Sequence, residues 1–195
     1  MCPPPSPPLT AAAARLTEFG YVVVRATASD PLRADQGLVD SWIMPGRSRV
    51  ALSAGGRFRR ELTPDGAQAV SQALSNAARL HGLDTDGLAF RPEGCYAIVN
   101  TPQATDSQGL HTDYPEHIVG HLRGTPRYPR SAIWAACSPF VLHLGGGTEV
   151  RVPTGHVIFF MADFWHGGGR YLSGNPRFHG FQLAACTPIP TGVYN

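Results

Sequence analysis

No lysine occurs in this 195-residue chain; its 16 basic residues are all Arg. That excludes Schiff-base chemistry, and it requires any fixed carboxylate anchor to be an Arg or a His. A GC-rich coding sequence is the plain explanation of the bias. Cysteine is scarce as well. Cys2, Cys95, Cys137 and Cys186 lie far apart with no C-x-x-C pair, which excludes a zinc knuckle and a disulfide framework. Three of them sit in apolar surroundings and are expected to be small core residues. No apolar run approaches the roughly 18 residues that span a bilayer. Met1–Pro8 lacks the basic start and apolar stretch of a secretory signal and reads as a Pro-rich disordered lead. These absences point to an intracellular protein with one domain over residues 9–195.

What is present divides in sequence order. Leu9 to Phe19 reads as a short helix with Thr10 as N-cap and Gly20 as stop, followed by a strand over Tyr21–Arg25. Strands are expected near Ser41–Met44 and Arg49–Leu52. Thr63 to His81 carries the clearest helical pattern, with Thr63-Pro64 at its start and Gly82 at its end. From Cys95 onward, short β-rich runs alternate with Gly, Pro and Asn: Cys95–Asn100, Ser131–Cys137, Phe140–Leu144, Thr148–Val152, His156–Phe160 and Phe178–Ala185. Helices first and many short strands afterwards predict an α+β chain with an antiparallel jelly-roll core.

Three motifs in the β-rich half carry chemistry. In Gly109-Leu110-His111-Thr112-Asp113-Tyr114, the side chains at i and i+2 of a strand share a face, so His111 and Asp113 can share a metal. In Phe160-Met161-Ala162-Asp163-Phe164-Trp165-His166-Gly167-Gly168, a His follows an apolar strand. Two imidazoles and a carboxylate on one side of an octahedral ion leave the other positions open, the arrangement of oxygen-activating non-haem iron. In Asn175-Pro176-Arg177-Phe178-His179, Arg177 and His179 again share a face.

The order H-x-D, a His some fifty residues on, and an Arg about ten further resembles the 2-oxoglutarate/Fe(II)-dependent oxygenases. Val152-Pro153-Thr154-Gly155-His156-Val157-Ile158-Phe159-Phe160 and Gly20-Tyr21-Val22-Val23-Val24 resemble strands of that family. The resemblance implies a double-stranded β-helix with N-terminal helices. It implies Fe(II) held by His111, Asp113 and His166, with 2-oxoglutarate as cosubstrate and O2 as oxidant. Arg177 would bind the far carboxylate of 2-oxoglutarate through its planar fork. Relatives often have Ser or Thr two residues after this Arg, where His179 stands here, and often Asp where His156 stands. Tyr96 and Asn100 resemble further cosubstrate contacts, against a plain reading as a strand aromatic and a turn residue. The implied reaction is hydroxylation, or oxidative demethylation, of a small metabolite or a nucleic-acid base.

Other residues take plainer readings. His117, His121, His143 and His156 are expected to be polar loop or strand histidines, and Asp163 a carboxylate that caps a turn or sits behind the ligands. Trp134 and Trp165 are expected in the core or the pocket wall. Gly145-Gly146-Gly147 and Gly167-Gly168-Gly169 read as turns. Two basic, acid-free stretches stand out. One holds Arg47, Arg49, Arg57, Arg59 and Arg60. The other holds Arg123, Arg127 and Arg130 with Tyr128, and as a loop after H-x-D it is a candidate contact for an anionic substrate, nucleic acid included. A solvated surface is the plainer reading of both. Two rival functions use the same residues: a zinc hydrolase, which leaves Arg177 without a task, and a non-catalytic jelly-roll binding module.

Overall fold

Helix α1 (Ala11–Phe19) begins where Thr10 Oγ1 accepts the Ala13 N–H at 3.1 Å. It ends at Gly20, whose φ of 77° is a left-handed conformation that suits glycine. In the computed structural model, the described residues are 9–27, 36–45, 50–53, 57–85, 87–100, 107–125, 127–169, 176–185 and 187–190. The chain continues through β1 (Tyr21–Arg25), α2 (Gln36–Ser41), β2 (Val50–Ser53) and β3 (Arg57–Arg60). Helix α3 (Pro64–Leu80) follows, with Thr63 capping the Gly66 N–H and proline in the first turn. Then come β4 (Ala89–Phe90), β5 (Tyr96–Asn100), the one-turn α4 (Glu116–Val119), β6 (Arg130–Trp134) and β7 (Phe140–Leu144). The last four strands are β8 (Thr148–Val152), β9 (His156–Met161), β10 (His166–Gly168) and β11 (Arg177–Leu183).

The strands form two antiparallel sheets. The larger runs β1-β9-β6-β11-β5-β3-β2 with β4 on β11; the smaller runs β10-β7-β8. Period-two alternation sends side chains two ways from the larger sheet. Val157 and Phe159 of β9, with Ala132 and Trp134 of β6, meet Leu16 of α1 and Val70, Leu74 and Ala77 of α3. Ile158, Phe160 and Ile133 point the other way, onto Phe140, Leu142 and Leu144 of β7 and Val152 of β8. Each such fully buried side chain contributes about 1.5–3 kcal/mol. β11 is buried along its whole length, because helices cover one face and the smaller sheet and the site cover the other. A third cluster, Tyr96, Ile98, Tyr114, Val119, Tyr128, Phe181 and Leu183, closes the inner face on the α4 side. There Tyr114 donates its hydroxyl to Pro188 O at 2.5 Å.

The α+β organisation and the strand runs from Tyr96 onward agree with the sequence reading, with ends moved by up to three residues. Four points differ. Residues 36–41 form a helix, and of the strand expected at Ser41–Met44 there remains a lone bridge from Ile43 to Leu62. The basic Arg57–Arg60 is a strand between β2 and β5. Gly167 and Gly168 lie in β10 and form no turn. Trp165 is 48% exposed, whereas Trp134 is in the core. Cys95 is a buried thiol, pushed up to about 12 by burial and the nearby Glu93, and Cys137 is half-buried; neither is in a disulfide. Cys2, Cys186 and residues 1–8 lie outside the described residues. Among the described residues no helix is long and apolar enough to cross a membrane.

Candidate metal centre

His111 and His166 form a bridge outside the long strands. Each backbone N–H donates to the other's carbonyl at 2.9 Å. Residues paired in this way present their side chains on one face, and the two imidazole centroids are 4.5 Å apart. Asp113, two residues on, turns to the same side. One ligand atom from each of His111, Asp113 and His166 lies within 4.8 Å of the others, and all three residues are buried. The expected strand at H-x-D is therefore this single bridge, which suffices to converge the three groups.

The donor atoms are prepared by their neighbours. His111 Nδ1 donates to Gly109 O and His166 Nδ1 to Phe164 O, each at 2.9 Å. This tautomer leaves Nε2 of both rings with its lone pair toward the site. Burial pushes His166 down to about 4 against the opposing pull of Asp113, so at neutral pH it is the neutral form, able to ligate a metal. Burial by itself would raise the Asp113 carboxyl. His179 and His166, with the hydrogen bond from Ser131, outweigh burial and hold it below the usual carboxylate range. Ser131 Oγ donates to Asp113 Oδ2, and His179 Nε2 lies 3.3 Å from the same oxygen. Asp113 Oδ1 is left facing His166 Nε2 at 3.8 Å.

A cavity joins these ligands to the residues expected around them. Tyr96, Gln108, Gly168, Arg177 and His179 line it together with the triad. It is tight, with a volume of about 20 Å³. The Arg177 guanidinium lies over the Phe140 ring, 5.2 Å from its centroid, and is 5% exposed. His179 stacks on Tyr96 with centroids 4.8 Å apart, and Arg59 lies over the Tyr96 ring at 4.1 Å. Asn100 pairs with Arg57 through its backbone, and its side chain lies outside the described residues.

Of the expected substrate contacts after H-x-D, two of the three arginines have partners within the chain. Arg123 is ion-paired to Asp163 and lies 3.3 Å from Glu116. Arg130 donates to Leu83 O, on the opposite face of β6 from Ser131. Tyr128 is buried in the third cluster, and Arg127 is exposed. Three site residues were not anticipated. Ser131 is a lone hydroxyl in an apolar strand, a pattern that marks a buried partner. Gln108 and Arg57 gave no such sign.

No protein-family model matches the chain, and no curated protein matches it in sequence. Solved structures do match in shape. A prolyl-4-hydroxylase from Pseudomonas putida superposes with a TM-score of 0.54 at 16% identity, over 89% of this chain and 97% of that one. The non-heme alpha-ketoglutarate-dependent carbocyclase SnoK from nogalamycin biosynthesis gives 0.60 at 14%, over 91% and 88%. The epimerase SnoN, from the same biosynthesis, gives 0.58 at 15%, over 89% and 80%. The chain has the fold of the 2-oxoglutarate/Fe(II)-dependent enzymes. At these identities the likeness carries the fold. The reactions named for the neighbours differ among hydroxylation, carbocyclisation and epimerisation, so the superfamily fold does not by itself fix the chemistry. Independently of that likeness, the chain presents a His–Asp–His facial set able to hold a divalent metal such as Fe(II).

Proposed function

We propose that the protein is an Fe(II)- and 2-oxoglutarate-dependent oxygenase built on a double-stranded β-helix. The observation that carries this reading is the preparation of the donors: two Nε2 lone pairs and one carboxylate oxygen converge, while their other polar atoms are already engaged. That donor set fits Fe(II). A zinc hydrolase needs no buried guanidinium in the same cavity, and Arg177 is there. Bound iron and 2-oxoglutarate would supply the chemistry by which O2, consumed together with 2-oxoglutarate, hydroxylates a C–H bond, or demethylates when the carbon is on nitrogen.

The chain's own residues hold and exclude. His111, Asp113 and His166 would bind the metal, and Ser131 and His179 fix the Asp113 carboxylate. Arg177 would take the far carboxylate of 2-oxoglutarate in a charge-assisted pair strengthened by burial. The apolar walls Ile98, Ile133 and Leu142 keep bulk water from the site. Since the cavity is tight, seating a five-carbon diacid requires the long side chains around it to move. Tyr96 borders the cosubstrate space, whereas His179 serves Asp113.

For the prime substrate the reading favours a small molecule over nucleic acid. Two of the three loop arginines are engaged within the chain, which leaves Arg127 for a polyanion to meet there. The test is anaerobic addition of Fe(II) and 2-oxoglutarate, followed by a succinate-release screen under oxygen over small molecules, peptides and methylated oligonucleotides. A weak visible charge-transfer band is expected, abolished in His111→Ala, Asp113→Ala and His166→Ala. A band that survives in all three variants refutes the assignment.

A further inference from the structure

Gln108 lies three residues before His111 and has no role in the scheme above. Its side-chain Oε1 accepts from Arg57 Nη1 at 3.2 Å and from the Gly168 N–H at 3.4 Å. Its backbone N–H donates to Gly168 O at 2.8 Å. Both partners of the side-chain oxygen are donors, so the orientation of the amide follows from the network: oxygen toward Arg57, NH2 the other way. That NH2 faces His111 Nε2 at 3.4 Å, the very nitrogen the tautomer leaves for the metal.

Arg57 is itself fixed. It is 1% exposed and donates to Gly168 O at 3.0 Å and Gly169 O at 2.7 Å. A Cβ on Gly168 would stand 2.6 Å from Arg57 Nη1, so glycine at this position is what admits the guanidinium. Gln108 is thus held by backbone and side chain next to a ligand position. An imidazole nitrogen engaged by a metal has no lone pair left for a second donor. The Gln108 NH2 then needs another acceptor or bears the cost of a lost hydrogen bond. Among the described residues lining the cavity the one carboxylate is Asp113, whose Oδ2 accepts from Ser131 with His179 Nε2 at 3.3 Å and whose Oδ1 would serve the metal. The acceptor has to arrive with the ligand.

We propose that Gln108, locked by Arg57, is a cosubstrate-positioning residue that donates a hydrogen bond to the metal-binding carboxylate of a 2-oxo acid beside His111. This rests on the 2-oxoglutarate reading above. The test uses full-length protein as wild type, Gln108→Met and Gln108→Leu. Co(II) is titrated first, then 2-oxoglutarate into the Fe(II) protein without oxygen. Co(II) affinity should stay within about threefold of wild type, because Gln108 is not a ligand. Affinity for 2-oxoglutarate should fall about tenfold, the worth of one hydrogen bond to a charged group. The charge-transfer band should shift, because the donor acts on the chelated carboxylate. Gln108→Met keeps the volume of the side chain, so it serves if Gln108→Leu fails to fold. Unchanged affinity and an unmoved band in Gln108→Met overturn the proposal. A fall in Co(II) affinity as large as the fall for 2-oxoglutarate also overturns it, since Gln108 would then act on His111 alone. A wild type that gives no band removes the functional reading, and this proposal with it, a pattern distinct from either variant result.

Discussion

Removing the hydroxyl of Ser131 tests whether Asp113 is a prepared ligand. Ser131 is fully buried on β6, and its Oγ donates to Asp113 Oδ2. A hydrogen bond to a charged group is worth about 1.5–3 kcal/mol, and loss of a group that orients a metal ligand costs 10–100-fold in metal affinity. Ser131→Ala should therefore weaken Co(II) or Fe(II) binding by about that factor. It should also raise the Asp113 carboxyl, which this bond helps to hold down, so the acid limb of the metal-binding profile should move to higher pH. His179 remains 3.3 Å from Oδ2, so the carboxylate keeps one partner and the loss should stay within that range. Ser71→Ala is the control. Ser71 is a buried serine on α3 whose Oγ donates to Phe90 O at 3.2 Å, away from the site. It should cost about 1 kcal/mol in a denaturant melt and leave metal affinity alone. The reasoning fails if Ser131→Ala binds Co(II) within twofold of wild type, or if Ser71→Ala loses as much affinity.

Three further outcomes are expected. His166 is lowered in the folded protein from 6.5 to about 4, so the unfolded chain takes up its proton first as the pH falls. The metal-free protein should thus be most stable above pH 6.5 and lose about 3 kcal/mol between there and pH 4, read from denaturant midpoints; a flat profile contradicts the burial of a neutral imidazole. Arg177→Ala should spare Co(II) binding and weaken 2-oxoglutarate about 30- to 1,000-fold by titration, with Arg177→Lys rescuing in part; equal affinity in all three proteins places the anchor elsewhere. Arg57→Met should lower stability by about 3–5 kcal/mol in a urea melt, because the Gly168 and Gly169 carbonyls lose a charged donor inside the protein; a loss under 1 kcal/mol means water replaces the guanidinium there.

The legible parts of the chain were those governed by local rules. Thr10 and Thr63 cap their helices as cap chemistry dictates, and the runs from Tyr96 to Leu183 became strands because apolar β-branched and aromatic residues fill a two-faced sheet. The metal set was legible because i and i+2 share a face and because His166 follows an apolar strand. What escaped depends on long-range contacts. Arg57-Phe58-Arg59-Arg60 looks like a solvated basic run, yet strand alternation points Arg57 into the site and pairing with β5 buries it. The Gly167-Gly168-Gly169 run looks like a turn. It is extended because Gln108 and Gly109 carbonyls, Arg57 and Val141 each occupy the space a side chain would need. The loop at 123–130 looked free because its acidic partner Asp163 lies forty residues away in sequence. Two of its three arginines, Arg123 and Arg130, are spent on ion pairs and a carbonyl that no local pattern announces.

The arginine-only composition is best judged at these same positions. A GC-rich coding sequence would account for Arg in place of Lys on a surface, where either would serve. It does not explain what Arg57 does, which is to bridge two successive carbonyls and a side-chain amide from one planar group. An ammonium presents its three donors on a single atom and cannot span Gly168 O and Gly169 O while also fixing Gln108. The same contrast holds at Arg59, whose flat guanidinium lies 4.1 Å from the Tyr96 centroid, and at Arg177 over Phe140. Each of these rings or carbonyls belongs to a wall of the metal cavity or to the strand behind it. At these positions arginine supplies the fork-shaped donors from which the rigid side of this site is built. Arg127 is exposed and has no such geometry to satisfy, so Lys should replace it without loss, whereas Lys should fail at 57 and serve only in part at 177.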